Sequence, residues 1–139
     1  MKIVNDANDV IVEITLDDGR EMWTRERWED FVPRLKKWMS CWEETGCRHG
    51  LKADPGFLLG GDAPGVADIV TATLWSIMAD RFDVIEAILQ GSVPMAMALA
   101  RRIVEMPQLA KLAEKARERY GDTCCGGQIE ASLRRALAA

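Results

Sequence analysis

The sequence is poor in the side chains that most enzymes use for proton transfer. Its only histidine, His49, lies in a stretch containing Gly, Lys, Asp and Pro that is typical of an exposed loop. No Ser-His-Asp set can be built around one loop histidine. Gly126 and Gly127 have neither the spacing nor the lysine of a phosphate-binding loop. We therefore expect this chain to contain no catalytic residues.

Long apolar runs, an apolar leader and an excess of positive charge are also missing. No run of about eighteen apolar residues is present, which argues against a membrane span. Residues 1–6 lack the apolar segment of a signal peptide. The net charge of −4 argues against a nucleic-acid partner. These features predict a cytoplasmic protein, and its 139 residues suit one domain over residues 1–139.

The four cysteines do not follow the spacing of a metal site. They are Cys41, Cys47, Cys124 and Cys125. Zinc sites commonly use pairs of cysteines two to four residues apart, and adjacent cysteines point in different directions in most backbones. We expect reduced thiols and no bound metal. A helix beginning near Gly127 could activate the Cys125 thiol, which is the one reactive cysteine that the sequence leaves open.

Apolar residues recur at helical spacing along most of the chain. The clearest pattern follows Thr24, a suitable N-cap, and includes Trp28, Phe31, Val32, Leu35, Trp38, Met39 and Trp42. Pro33 lies inside this pattern and lacks the N–H that a helix needs, so we expect a kink or a helix break there. Glu43-Glu44 is interpreted as a solvated pair. Trp23 precedes the pattern and is the candidate for a semi-exposed contact.

The remaining patterns are helical too and predict an all-α bundle. Residues 3–14 have helical spacing, although residues 10–16 are rich in β-branched side chains and could form a strand. Ser92 is expected to cap a helix that has Pro94 in its first turn. Further helices are predicted at about residues 65–80, 82–89, 107–120 and 129–137.

A Gly-, Asp- and Pro-containing turn over residues 60–65 leads into the most apolar of these helices. Asp68 follows Gly65 by three residues, which is the spacing of a capping box: the carboxylate accepts the free N–H of the N-cap residue. Gly65 provides no side-chain oxygen in return. Pro64 and Ile69 have the spacing of a hydrophobic staple. Because the helix is apolar on nearly every side, from Val66 onward, we expect it to be the buried central helix.

Two segments resemble the C-terminal domain of glutathione S-transferases. Residues 57–60 read Phe-Leu-Leu-Gly and residues 64–69 read Pro-Gly-Val-Ala-Asp-Ile, similar to the family phrase fLxG…pSxADi, in which the acid caps the core helix. Residues 32–43 are similar to the lPxxLxxxE segment of that domain's second helix. Gly65 departs from the family's usual Ser or Thr. The order of predicted helices matches the family domain from start to finish.

The resemblance implies a division of labour between two domains. In that family a thioredoxin-like domain binds glutathione and carries the catalytic Tyr, Ser or Cys, while the all-α domain shapes the electrophile pocket and much of the dimer interface. This sequence corresponds to the second domain only. The resemblance therefore implies that this chain holds no cofactor. It also implies that glutathione is the co-substrate of the full-length family and that the second substrate is a small hydrophobic electrophile. The implied partners are a second copy or a thioredoxin-like domain.

The same resemblance nominates two substrate-binding residues, to which the position of Trp23 adds a third, and it leaves a second function open. In several classes an acid in this domain's first helix reaches the other subunit's glutathione; Asp9 is the nearest match and Asp6 the alternative. Both are equally compatible with solvated acids, and Trp23 completes the set. Without a covering neighbour we expect the chain to self-associate or to expose apolar surface, with Ile3, Val10, Ile14 and Trp23 as the candidates for that surface. The alternative is a stand-alone interaction module, as such domains also occur in translation factors and aminoacyl-tRNA synthetases.

Overall fold

The structure is built from helices that follow the predicted order. The computed structural model describes residues 5–7, 9–10, 22–54, 56–121 and 128–138. Within these ranges every regular element is helical, which confirms the all-α prediction, and residues 5–7 and 9–10 are themselves helical. Residues 11–16, where a strand was the alternative, lie outside the described ranges. The helices are α1 (Arg25–Arg48), α2 (Val66–Arg81), α3 (Asp83–Ser92), α4 (Pro94–Val104), α5 (Pro107–Tyr120) and α6 (Gln128–Ala138).

Helix α1 begins as predicted and continues through its proline. The Thr24 hydroxyl accepts a hydrogen bond from the Arg27 N–H at 3.2 Å, which confirms the N-cap. The predicted break at Pro33 is wrong, because the helix is unbroken from Arg25 to Arg48. Pro33 is exposed, so water can satisfy the carbonyl that loses its partner, while Phe31 and Leu35 on either side are fully buried and hold the helix in place. A bend in this continuous helix stays a prediction.

Helix α2 is the centre of the bundle, as its apolar composition predicts. It packs mainly against α4 and α3, and Trp75 is fully buried. The Trp75 and Trp42 rings meet edge to face, with centroids 5.3 Å apart, and the Trp42 indole N–H donates to the Thr71 hydroxyl at 3.0 Å. One stripe of α2 departs from the prediction, because Val66 is 68% exposed and Ile69 is 38% exposed. The central helix therefore has an uncovered apolar side.

Helix α4 receives its cap from a distant residue. The prediction that Ser92 caps it is wrong: Ser92 is the last residue of α3, and Val93 occupies the N-cap position without a side-chain bond. The Glu43 carboxylate of α1 instead accepts the N–H groups of Met95 at 3.0 Å and Ala96 at 2.8 Å. An acid at this place also meets the positive end of the helix dipole. The interpretation of Glu43 as a solvated acid is therefore wrong.

The C-terminal helix α6 connects the start of α1 with the end of α2. The Ser132 hydroxyl accepts the Trp23 N–H at 3.1 Å, and Glu130 forms an ion pair with Arg81 at 2.8 Å. Leu133 is buried in the common core. These contacts join residues that lie far apart in the sequence, so α6 is an integral part of the bundle.

Candidate functional site

The turn before α2 is organised by one buried carboxylate. Asp68 is 2% exposed, and its Oδ2 accepts the Gly65 N–H at 2.8 Å, as the capping-box spacing predicts. Its Oδ1 accepts the Leu58 N–H at 2.7 Å, a second bond that the spacing alone does not reveal. Gly65 has no side chain to complete the box. Asp68 therefore caps the central helix and also holds the loop that precedes it.

The loop between α1 and α2 is also held from the other side. Arg102 of α4 donates hydrogen bonds to the Ala53 carbonyl and, at 2.7 Å, to the Gly56 carbonyl. Gly56 has φ 124°, and a side chain there would place its Cβ 3.2 Å from the Gly50 carbonyl oxygen. The loop is thus fixed at both ends, which gives the N-terminal end of α2 a defined surface.

The residues nominated for substrate binding have different degrees of burial. Asp9 is exposed and Asp6 is half-buried, and no described residue hydrogen-bonds the buried Asp6 Oδ2. Trp23 is only 5% exposed, so the expectation of a semi-exposed contact is wrong. Its ring packs edge to face on Phe31, with centroids 5.3 Å apart, and the Arg27 guanidinium lies 4.4 Å from its centroid. The roles of Asp6 and Asp9 in binding glutathione stay predictions.

The expected position of the exposed apolar surface is also corrected. Val10 is 1% exposed and Trp23 is buried, so neither contributes to such a surface; Ile3 and Ile14 lie outside the described ranges. Large apolar side chains are exposed instead at the start of α2 and on α5. They include Leu59, Val66, Ile69, Leu112 and Tyr120. Among the described residues, exposed large apolar side chains therefore lie on α2 and α5, in the loop before α2, and at Met22, which is 46% exposed before α1.

A groove of about 1250 Å³ lies between α2, α4, α5 and α6. Thr73 and Ile77 line it from α2, on the same stripe as the exposed Val66 and Ile69. Leu109, Leu112, Ala113, Ala116 and Tyr120 line it from α5. No residue of α5 is buried, and Leu112 is 62% exposed. The groove is thus mostly apolar on its α5 wall and remains open to solvent there.

The charged groups of the groove are paired with one exception. Glu130 forms ion pairs with Arg81 and, at 2.7 Å, with Arg134. Asp80 pairs with Arg101 at 2.5 Å, and this hydrogen bond is the largest of the influences that raise the pKa of Arg101 above its ordinary value. Arg117 lines the groove with no ion pair or hydrogen bond to any described residue. In the described part of the chain, Arg117 is therefore a cation without an ion pair beside an apolar surface.

Other candidate chemistry is limited in the part of the chain that the structure describes. His49 is exposed at the end of α1, as predicted, and Cys41 and Cys47 are exposed free thiols. Cys124 and Cys125 lie outside the described ranges. Among the described residues no group of three or more His, Cys, Asp or Glu side chains could hold a metal ion. None of the described helices combines the length and the apolar composition that crossing a bilayer requires.

Comparison with known proteins agrees with the helical architecture. The family model described as glutathione S-transferase, C-terminal domain, matches residues 1–136. The match leaves no room for a thioredoxin-like domain within these 139 residues. A search of curated proteins found no match to this chain.

Proposed function

This chain belongs to the glutathione S-transferase C-terminal domain family, and we propose on that basis that it acts by pairing with a thioredoxin-like domain. In this proposal residues 1–139 form one cytoplasmic domain that shapes the pocket for a small hydrophobic electrophile. The thioredoxin-like domain binds glutathione and provides the catalytic hydroxyl or thiol. Asp6 and Asp9 remain the proposed contacts of this chain near glutathione.

The observation that carries this proposal is the uncovered apolar surface of α2 and α5. Val66 and Ile69 belong to the central helix of the bundle, yet both are exposed. Exposed large apolar side chains on the central helix are typical of sites where another domain or protein binds. A covering domain would bury this surface and gain roughly 25 cal/mol for each Å² of apolar area removed from water. The same observation supports the second candidate, a stand-alone interaction module without catalysis.

We expect the purified chain to leave the conjugation of glutathione to an aromatic electrophile at its uncatalysed rate. The reaction needs a thiolate stabilised by a positioned donor, and in the proposed arrangement that donor belongs to the partner domain. A spectrophotometric conjugation assay measures the rate for the chain alone and for the chain mixed with or fused to a thioredoxin-like domain. Restored activity supports the proposal that this chain is the C-terminal domain of a transferase. Binding without activity supports the stand-alone interaction module.

A rate of the isolated chain well above background would contradict this expectation. Loss of that rate in Tyr120→Phe or Cys125→Ser would then locate a catalytic group in this chain. The DNA upstream of Met1 separates the two candidate functions independently of any assay. An open reading frame for a thioredoxin-like domain supports the transferase half, whereas a stop codon with a ribosome-binding site supports the module.

We expect the isolated chain to self-associate or to bind a hydrophobic dye through the surface on α2 and α5. Val66→Gln combined with Leu112→Gln should lower dye binding at least about twofold without loss of stability, because both side chains are already exposed. Sedimentation velocity over a range of concentrations and a dye titration measure the two effects. A strictly monomeric chain that binds no dye would refute the prediction.

A further inference from the structure

Helix α5 carries an apolar stripe that the other described parts of the chain cover only in part, since Leu109 and Ala116 are half-buried and the remaining members are exposed. Leu109, Leu112, Ala113, Ala116 and Tyr120 follow one another at helical spacing on one side of the helix. Helix α5 has 14 residues, and none of them is buried. Isolated helices of about 12–15 residues are marginally stable in water, because most helix stability in proteins comes from packing of an apolar side. A partner that covers this stripe would therefore stabilise α5.

The dimensions of the groove fit an elongated occupant. Its α5 wall extends from Leu109 to Tyr120, which corresponds to a length of about 18 Å at 1.5 Å per residue. Its volume of about 1250 Å³ exceeds the range of roughly 300–1000 Å³ that is common for small-molecule pockets. An open apolar channel of this length matches about three turns of a helix laid along it, with anchors at i, i+3, i+4 and i+7.

The charges beside the apolar stripe determine which sign of charge the occupant should carry. Both acids of the groove, Asp80 and Glu130, are already neutralised in ion pairs. Arg117 is not paired with any described residue, and helical spacing places Arg119 on the other flank of the stripe. The groove is thus bordered by cations, although the whole chain has a net charge of −4. Acidic side chains beside an apolar stripe would complement it.

We propose that this groove binds an amphipathic helix of a partner protein whose apolar stripe is flanked by Asp and Glu. The inference rests on the proposed function, because it names the chemistry of the partner that the uncovered surface receives. A second copy of α5 does not have the acidic flanks that this groove requires. Its own flanks carry Arg117 and Arg119, so two α5 helices packed together would bring like charges into contact.

Two designed peptides test the proposal directly on the full chain. Both have about 18 residues and Leu at i, i+3, i+4 and i+7, with flanking positions all Glu in one and all Lys in the other. Fluorescence anisotropy of the labelled peptides measures the dissociation constants. We expect the acidic peptide to bind at least about tenfold more tightly than the basic one, with the difference shrinking as the salt concentration rises.

Variants on α5 provide the matched control. Arg117→Glu should raise the dissociation constant of the acidic peptide about tenfold, whereas Lys111→Glu, the same charge change on the opposite side of the helix, should change it less than about twofold. Leu112→Gln should weaken both peptides about fivefold through loss of apolar contact. All three side chains are exposed, and circular dichroism confirms that the variants are folded.

Several outcomes would overturn the proposal. Equal affinity for the two peptides would exclude selection by charge, and equal losses in Arg117→Glu and Lys111→Glu would exclude this groove. A dimer that dissociates in Leu112→Gln, without binding of either peptide, would assign the groove to a second copy. Saturable binding of 8-anilinonaphthalene-1-sulfonate without binding of either peptide would assign the groove to a small organic anion. If a thioredoxin-like domain restores conjugation but the acidic peptide does not bind, this inference fails while the proposed function stands.

Discussion

Replacing Asp68 with Ala is expected to lower the free energy of unfolding by about 3 kcal/mol. The substitution removes the side chain that caps α2 and also leaves the N–H of the buried Leu58 without its partner. Loss of a cap costs roughly 0.5–2 kcal/mol, and a buried donor left unpaired costs roughly 1–3 kcal/mol. For a domain of this size the melting temperature should fall by about 10 °C.

Thermal and urea denaturation of two further variants isolate the cause. Asp68→Asn keeps the shape and one acceptor oxygen, so we expect about half of the loss. Asp62→Ala removes an exposed acid from the same loop and should change stability by less than about 0.5 kcal/mol. A melting temperature of Asp68→Ala within about a degree of the unmodified chain would contradict the capping role.

Replacing Glu43 with Ala is expected to lower the free energy of unfolding by about 2 kcal/mol. Both carboxylate oxygens of Glu43 accept N–H groups from the first turn of α4, and hydrogen bonds to a charged acceptor are stronger than those between neutral groups. The loss should appear as weaker docking of α4 on α1, with faster hydrogen exchange at the N–H groups of Met95 and Ala96.

The neighbouring acid provides the control for this experiment. Glu44 is exposed, and its ion pair is with Arg48 on the same helix, at 3.5 Å. Such exposed pairs contribute little, so Glu44→Ala should change stability by less than about 0.5 kcal/mol. Glu43→Gln retains one acceptor oxygen and should show an intermediate loss. Equal effects of the Glu43 and Glu44 variants would show that the cap has no energetic role.

The elements that the sequence predicts well depend on contacts between near neighbours in the chain. Thr24 caps α1 by accepting the N–H of Arg27, three positions later in the chain. Asp68 caps α2 by accepting the N–H of Gly65, three positions earlier. Such bonds require only helical geometry, so spacing and residue type are sufficient to predict them. The apolar periodicity of residues 28–42 likewise predicts which side of α1 is buried.

The predictions that failed concern residues whose surroundings come from distant parts of the chain. Ser92 is a good N-cap by residue type, but the α4 N-terminus is occupied by a carboxylate from α1. Trp23 was expected to be semi-exposed, but it is buried: its ring packs on Trp28 and Phe31, and Ser132 of α6 accepts its backbone N–H. A kink or a break was expected at Pro33, and the break is wrong because burial of Phe31 and Leu35 in the core keeps the helix continuous.

By itself the sequence determined the helical class, the start of the two main helices and the family resemblance, because each rests on local spacing and on short motifs. Only the tertiary structure decided that Asp68 also holds Leu58, that Glu43 caps α4, and that the uncovered apolar surface lies on α2 and α5. The physical reason is that burial and hydrogen bonding between residues far apart in the chain depend on how the helices pack. Periodicity shows which side of a helix is apolar, but packing decides whether another element covers it.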